Sequence, residues 1–86
     1  MSESIEVPYL KRKRQLNKKR NREIFISAAK DAFTKMGVDK SSIRQITKIT
    51  NLGSGTFYNY FRNKNSIFIV INERFVQEFS EFFMKE

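Results

Sequence analysis

The sequence predicts an all-α fold with three short helices followed by a fourth, amphipathic helix. Apolar residues recur at helical spacing in four segments, and no alternating strand pattern competes with them after Lys11. Residues that favour helix ends and tight turns separate these segments. With 86 residues the chain has room for one small domain around a single core, and none for a second.

The first helix is predicted over residues 17–36, where apolar side chains return every three or four positions. Phe25, Ala29 and Phe33 mark the face that we expect to be buried. Gly37 follows, and glycine readily adopts the left-handed backbone that ends many helices. The first helix is therefore expected to end immediately before this glycine.

The second predicted helix is short and begins at Ser41 or Ser42, because either hydroxyl can cap the first turn. Ile43, Ile46 and Ile49 then recur at three-residue spacing. Side chains three apart are neighbours on a helix surface, so we expect these three on one buried face.

A tight turn is predicted at residues 50–52, since the asparagine at its centre tolerates positive φ better than other non-glycine residues. The third helix is predicted to begin at Gly53 or Ser54 and to continue through Tyr60, with Phe57 and Phe61 four positions apart as its core anchors. Two short helices joined by about three turn residues form a homeodomain-like helix-turn-helix, whose second helix enters the major groove of DNA.

The fourth helix is predicted from Asn65 or Ser66 onwards, and its apolar stripe extends from Ile67 to Phe83. This stripe holds more Phe, Ile and Val than three short helices can cover. We therefore expect either a shortened form of a longer protein or a short protein that forms a homodimer through residues 66–83.

The composition excludes several classes of function. The chain has no cysteine and no histidine, which removes thiolate and imidazole metal sites, cysteine or histidine catalysis, and disulfides. Nothing arranges a nucleophile with a base, so we expect neither enzymatic activity nor a cofactor. The first ten residues do not resemble a secretory signal, and no apolar run is long enough to span a bilayer. A cytoplasmic, nucleoid-associated protein with no membrane partner is expected.

The net charge of +8 comes from a local basic tract. Residues 11–22 hold eight basic residues and no acid, whereas the chain after them holds nine basic and seven acidic residues. Such a tract is typical of phosphate binding, with a solvated tail as the alternative. We expect residues 1–16 to form a flexible basic arm on phosphate or in the minor groove. The helix-turn-helix domain would then cover residues 17–64, and residues 65–86 would begin a connecting or dimerisation helix.

The start of the third helix is the candidate DNA-reading surface. Small residues at Ser54, Gly55 and Thr56 let the backbone approach DNA closely, and the free amides of a helix N-terminus favour phosphate. Asn59 can read a base edge with its amide donor and acceptor.

Other polar side chains surround this surface. Tyr58 and Tyr60 can donate their hydroxyls to phosphate, with partly buried rings as the alternative. Arg44 is the best candidate for a bidentate contact with guanine, and an exposed helix charge is its alternative. Lys64 can clamp the DNA backbone, and Ser42 can bind phosphate as well as cap its helix.

These residues resemble the N-terminal DNA-binding region of the TetR-type transcriptional regulators over about residues 22–68. The family's first-helix pattern is similar to Arg22, Phe25, Ile26, Ala28, Ala29, Phe33 and Gly37. Its helix-turn-helix pattern is similar to Ile46, Leu52, Gly55, Thr56, Phe57, Tyr58, Tyr60, Phe61 and Lys64, followed by the apolar Ile67 or Phe68. The chain departs from the family at Thr47 and Thr50, which are usually alanine, at Asn51, usually glycine, and at Gly53, usually serine.

The resemblance implies a transcriptional regulator, commonly a repressor, that binds a pseudo-palindromic operator in double-stranded DNA as a homodimer. It also implies that any small-molecule effector belongs to a C-terminal domain that this chain does not contain. A sequence-indifferent DNA-binding protein and a protein that binds anionic membranes or a partner are the alternatives. The candidate DNA contacts are Lys18, Lys19, Arg20, Arg22, Ser42, Arg44, Ser54, Gly55, Thr56, Tyr58, Asn59, Tyr60 and Lys64.

Overall fold

The computed structural model describes residues 2–84, and within that range the regular structure consists of four helices. These are α1 (Ser2–Met36), α2 (Ile43–Thr50), α3 (Ser54–Tyr58) and α4 (Lys64–Met84). The predicted all-α class is confirmed. The turn between α2 and α3 has three residues, as a helix-turn-helix requires.

The first helix is longer than the sequence pattern predicts. It begins at Ser2 rather than near Asn17, so most of the segment expected to be a flexible arm over residues 1–16 is helical. The basic tract consists largely of Lys, Arg, Gln and Leu, which are good helix formers. It contains no glycine that would interrupt a helix. Intrinsic helix propensity therefore accounts for the helix over the basic tract, residues 11–22, which charge alone did not predict.

Each helix contributes one large, fully buried side chain to a common core: Phe25, Ile46, Phe57 and Ile67. The rings of Phe25 and Phe57 meet edge to face with centroids 5.3 Å apart. Burying one such side chain contributes about 1.5–3 kcal/mol, so these contacts hold α3 in place although it has only five residues.

Most of the predicted core is confirmed, and Ile49 is the one residue predicted to be buried that is exposed. Phe25, Ala29, Ile46, Phe57 and Phe61 are buried, as predicted. Phe33 and Ile43, also expected in the core, are half-buried against them, and so is Leu52 in the turn after α2.

Ile49 is 55% exposed, so its predicted place on the buried face of α2 is wrong. Six residues turn a helix by about 600°, which leaves Ile49 about 120° away from Ile43. Thr47 lies closer to the buried face and is buried instead.

Helix α4 begins at Lys64, one residue earlier than predicted, because Asn63 caps its first turn. The Asn63 side-chain oxygen Oδ1 accepts hydrogen bonds from the Ser66 amide at 2.8 Å and the Ser66 hydroxyl at 3.0 Å. An asparagine in this position satisfies a helix amide that has no partner within the helix.

The first half of α4 packs on α1, where Phe33 and Phe68 meet edge to face at 5.8 Å. Its later turns expose a row of large apolar side chains, as the width of the stripe predicts. These are Phe75, Val76, Phe79, Phe82 and Phe83. None of the helices in the described range is both long enough and apolar enough to cross a membrane.

Candidate nucleic-acid interface

The start of α2 is fixed by a reciprocal pair of hydrogen bonds. The Ser42 hydroxyl accepts the Gln45 amide at 3.1 Å, and the Gln45 side-chain oxygen accepts the Ser42 amide at 2.9 Å. This arrangement is a capping box. Of the two serines predicted as caps, Ser42 is the cap, and its side chain stays exposed at the end of the helix.

Ser41 has a different role from the predicted cap. Its side chain is buried, and its hydroxyl lies 2.7 Å from the Gly37 carbonyl oxygen and 3.2 Å from that of Ala32. Gly37 itself has φ 85°, the left-handed conformation predicted for it. Ser41 therefore closes the end of α1 and leaves the α2 cap to its neighbour.

The turn between α2 and α3 depends on Asn51, which has φ 62° and ψ 9°. Asparagine adopts this left-handed conformation more readily than other residues that carry a Cβ. The conformation confirms the turn predicted at residues 50–52, and it explains how the chain turns without the usual glycine.

The two threonines that depart from the family pattern have satisfied hydroxyls. Thr47 donates to the Arg44 carbonyl at 3.0 Å, and Thr50 donates to the Thr47 carbonyl at 2.9 Å. The Thr50 hydroxyl also accepts the Leu52 amide at 3.1 Å, within the turn. Both hydroxyls are hydrogen-bonded, so threonine at these two positions leaves no polar group without a partner.

Helix α3 ends at Tyr58, two residues before the predicted limit. The Asn59 amide bonds to the Thr56 carbonyl at 3.1 Å, and the Tyr60 amide bonds to the Phe57 carbonyl at 2.9 Å. Bonds of this three-residue span tighten the last turn of a helix. The predicted reading segment over residues 54–60 is thus one helical turn followed by a tighter turn.

The surface of this segment is polar and open. Ser54, Gly55, Tyr58 and Asn59 are exposed, whereas Thr56 is half-buried. A Cβ atom placed on Gly55 would meet no atom of the protein within 4 Å. Packing inside the domain therefore does not require a residue as small as glycine at this position.

The two tyrosines of the segment differ in their surroundings. Tyr58 is 55% exposed, and its ring stands edge to face on Phe57 with centroids 5.5 Å apart. Tyr60 is half-buried, with its ring centroid 5.9 Å from that of Phe25. Tyr58 is consequently the freer of the two to contact a partner, whereas Tyr60 also belongs to the packing around the core.

Arg44 is exposed in the first turn of α2 and lies on the helix that precedes α3. Lys48, four residues later, is also exposed and falls on the same side of α2. Two exposed cations therefore share one side of α2, and Arg44 alone is among the predicted DNA contacts.

Lys64 has protein partners that the sequence did not reveal. Its ammonium nitrogen Nζ donates to the Ser41 carbonyl at 3.0 Å and lies 3.4 Å from the Asp39 carbonyl. Lys64 therefore joins the start of α4 to the loop between α1 and α2. Its predicted contact with the DNA backbone stays a prediction, in addition to this internal role.

The basic candidates of α1 fall into two groups. The Arg22 guanidinium lies 5.3 Å from the centre of the Phe61 ring, a cation–π contact at the end of the α3 segment. Lys18, Lys19 and Arg20 are exposed on the preceding turn. Arg22 is thus held beside the core of the helix-turn-helix domain, whereas the side chains of Lys18, Lys19 and Arg20 project into solvent.

An ion pair that the sequence did not predict connects α1 with α4. The Arg74 guanidinium meets both carboxylate oxygens of Glu23, at 2.6 and 2.7 Å. The hydrogen bond from Arg74, helped by the charges of Arg74, Arg22 and Lys19, lowers the pKa of Glu23. The same hydrogen bond raises the pKa of Arg74.

The three-residue turn, the short α3 and its polar surface define a helix-turn-helix DNA-binding domain. A family model described as "Bacterial regulatory proteins, tetR family" matches residues 25–71, more than half of the chain. The chain belongs to this family, and the matched region is the DNA-binding domain of a TetR-family transcriptional regulator.

Two curated relatives come from Bacillus subtilis (strain 168). The chain is 28% identical to the uncharacterized HTH-type transcriptional regulator YhgD over 60 residues, which are 70% of this chain and 31% of YhgD. It is 39% identical to the uncharacterized HTH-type transcriptional regulator YvdT over 51 residues, which are 59% of this chain and 26% of YvdT. The chain thus spans only a minor part of each relative. No solved structure gives a significant match.

Proposed function

We propose that this protein regulates transcription by sequence-specific binding to double-stranded DNA, with residues 54–60 in the major groove. The observation that carries this proposal is the surface of α3. One side anchors the helix through the fully buried Phe57, while Ser54, Gly55, Tyr58 and Asn59 remain exposed. A short helix fixed by one aromatic anchor, with small and hydrogen-bonding side chains outside, suits close approach to base edges.

The candidate contacts divide between bases and backbone. We assign base reading to Arg44, as a bidentate partner of guanine, and to Asn59. Hydroxyl groups at Ser42, Ser54, Thr56, Tyr58 and Tyr60 suit phosphate oxygens, while Gly55 permits the close approach. The basic residues Lys18, Lys19, Arg20, Arg22 and Lys64 are assigned to the phosphate backbone.

The proposed regulator binds a pseudo-palindromic operator as a homodimer and represses by blocking access of the polymerase, acting at the nucleoid in the cytoplasm. The exposed apolar residues of α4 between positions 66 and 83 support self-association, since large apolar patches mark interaction surfaces. A two-fold dimer presents two reading segments to two half-sites, which is why a palindrome is expected.

Selection of bound duplexes from a random pool tests this proposal. Recovery of one enriched motif with two inverted half-sites is the expected result. Loss of binding to the enriched duplex in Tyr58→Ala, with helicity unchanged by circular dichroism, would place α3 at the DNA. A pool that shows no enrichment would instead indicate sequence-indifferent binding. Binding to anionic vesicles without binding to any duplex would indicate a membrane-surface protein.

A further inference from the structure

The basic part of α1 carries four cations in register along one side of the helix. Lys11, Arg14, Lys18 and Arg22 are separated by three, four and four positions. Because successive residues of an α-helix are about 100° apart around the axis, these four fall within one stripe. We call Lys11, Arg14, Lys18 and Arg22 the basic stripe.

The basic stripe continues the side of α1 that packs on the domain. Lys11, Lys18, Phe25 and Ala32 follow one another at seven-residue intervals, and each interval is within about 20° of two complete turns. Phe25 and Ala32 are buried, at 0% and 1% exposure. Lys11 and Lys18 therefore lie on the same side of α1 that packs on the domain later in the helix, at Phe25 and Ala32.

The same side of α1 meets the DNA-reading segment. Phe25 contacts the rings of Phe57 and Tyr60, and Arg22 lies over Phe61. Towards Lys11 the helix advances about 16 Å beyond Arg22 at 1.5 Å per residue. The basic stripe therefore leaves the domain next to residues 57–61 and projects beyond them.

Within residues 8–22, no carboxylate balances the charge of the stripe. Residues 8–22 contain no acid, and the ion pairs in the described part of the chain join Lys35 with Asp31 and Arg74 with Glu23. Lys11, Arg14 and Lys18 are exposed. Glu23, the first carboxylate after the tract, is already held by Arg74.

We propose that residues 8–22 bind DNA as a helix lying on phosphates that flank the site read by α3, through Lys11, Arg14, Lys18 and Arg22. This inference rests on the proposed function, because it takes duplex DNA as the partner. An α-helix with its side chains is about 10–12 Å across and the minor groove is about 6 Å wide. The helix therefore stays on the backbone, and Lys13, about 200° around the helix axis from Lys11, faces away from the DNA.

Two triple variants of the full chain test the proposal. The stripe variant is Lys11→Gln, Arg14→Gln and Lys18→Gln, and its control on other faces of α1 is Arg12→Gln, Lys13→Gln and Lys30→Gln. Both remove the same charge and keep good helix formers, and Arg22 is left unchanged because it packs on Phe61. Affinity is measured against salt concentration on a random-sequence duplex and on a duplex recovered by selection.

We expect the stripe variant to make the slope of log affinity against log salt less steep by roughly 2–3 per domain, since each phosphate contact contributes about 0.9. The control variant should change the slope by less than half as much. Equal changes in the two variants would show that the basic stripe is not the face of α1 that binds phosphate. An unchanged slope in both variants would show that this part of α1 does not contact DNA.

The outcome can be separated from failure of the proposed function. If selection yields no motif, sequence-specific reading is wrong, yet the two variants still differ on the random duplex when the stripe binds phosphate. A stripe variant that loses binding to phosphatidylserine vesicles while keeping the salt slope on DNA would overturn the proposal in favour of a membrane surface.

Discussion

Glu23 of α1 and Arg74 of α4 form a two-pronged ion pair across 51 residues of sequence, with both nitrogen–oxygen distances at or below 2.7 Å. This pair lies beyond the hydrophobic core, next to the point where the apolar side of α4 becomes exposed. It therefore adds a polar contact between α1 and α4 to the apolar packing of Phe33 on Phe68.

We expect Glu23→Gln to lower the free energy of unfolding at neutral pH by about 0.2–1 kcal/mol, because both side chains are partly exposed and solvent screens the pair. Arg74 lowers the pKa of Glu23 in the folded protein. The stabilisation is therefore fully present at pH values above the pKa that Glu23 has in the unfolded chain. It is lost as pH falls through the folded pKa.

Urea unfolding of the wild-type protein and Glu23→Gln at a series of pH values measures this effect. The difference between the two proteins should shrink as pH falls from about 7 to about 3. A difference that stayed constant over this range would show that the carboxylate charge does not stabilise the fold.

Lys64→Met separates the internal role of Lys64 from a phosphate contact. The substitution keeps an apolar stem but removes the donor to the Ser41 and Asp39 carbonyls, so we expect the free energy of unfolding to fall by about 0.5–1.5 kcal/mol. Lys48→Met, which changes an exposed lysine of α2, is the matched control. A Lys64→Met protein with wild-type stability but a weaker salt dependence of DNA binding would contradict the internal role.

Arg44→Ala should relax the preference for one base pair in each half-site by about 1–3 kcal/mol, because a bidentate arginine contact discriminates guanine by that amount. Repeating the duplex selection with the variant measures the change position by position. Lys30→Ala, an exposed cation on α1, should leave the motif unchanged. Equal loss of affinity for all duplexes would instead place Arg44 on phosphate.

Features set by single residues could be predicted from the sequence. The left-handed conformations of Gly37 and Asn51 follow from residue type, and the buried anchors Phe25 and Phe57 follow from helical spacing. Ile49 shows where spacing fails, because three-residue steps drift around a helix that has 3.6 residues per turn.

Contacts between distant segments could not be predicted in this way. The Glu23–Arg74 pair and the bonds from Lys64 to the α1–α2 loop depend on how the helices pack, and no local pattern encodes that packing. The roles of Ser41 and Ser42 could not be separated for a related reason. Both are suitable caps by residue type, and only the position of the α1 end assigns Ser41 to Gly37 and Ala32.

Gly55→Leu tests most directly whether α3 enters the groove. A side chain at this position has open space within the domain, and leucine is a better helix former than glycine by up to about 1 kcal/mol. Thermal unfolding should therefore show wild-type or higher stability.

Binding of Gly55→Leu to the selected duplex is the decisive measurement, with Lys30→Leu on exposed α1 surface as the control. If α3 approaches the bases closely, Gly55→Leu loses binding while it remains folded, and Lys30→Leu binds as the wild type does. A folded Gly55→Leu protein that binds the selected duplex with wild-type affinity would show that α3 does not read the DNA.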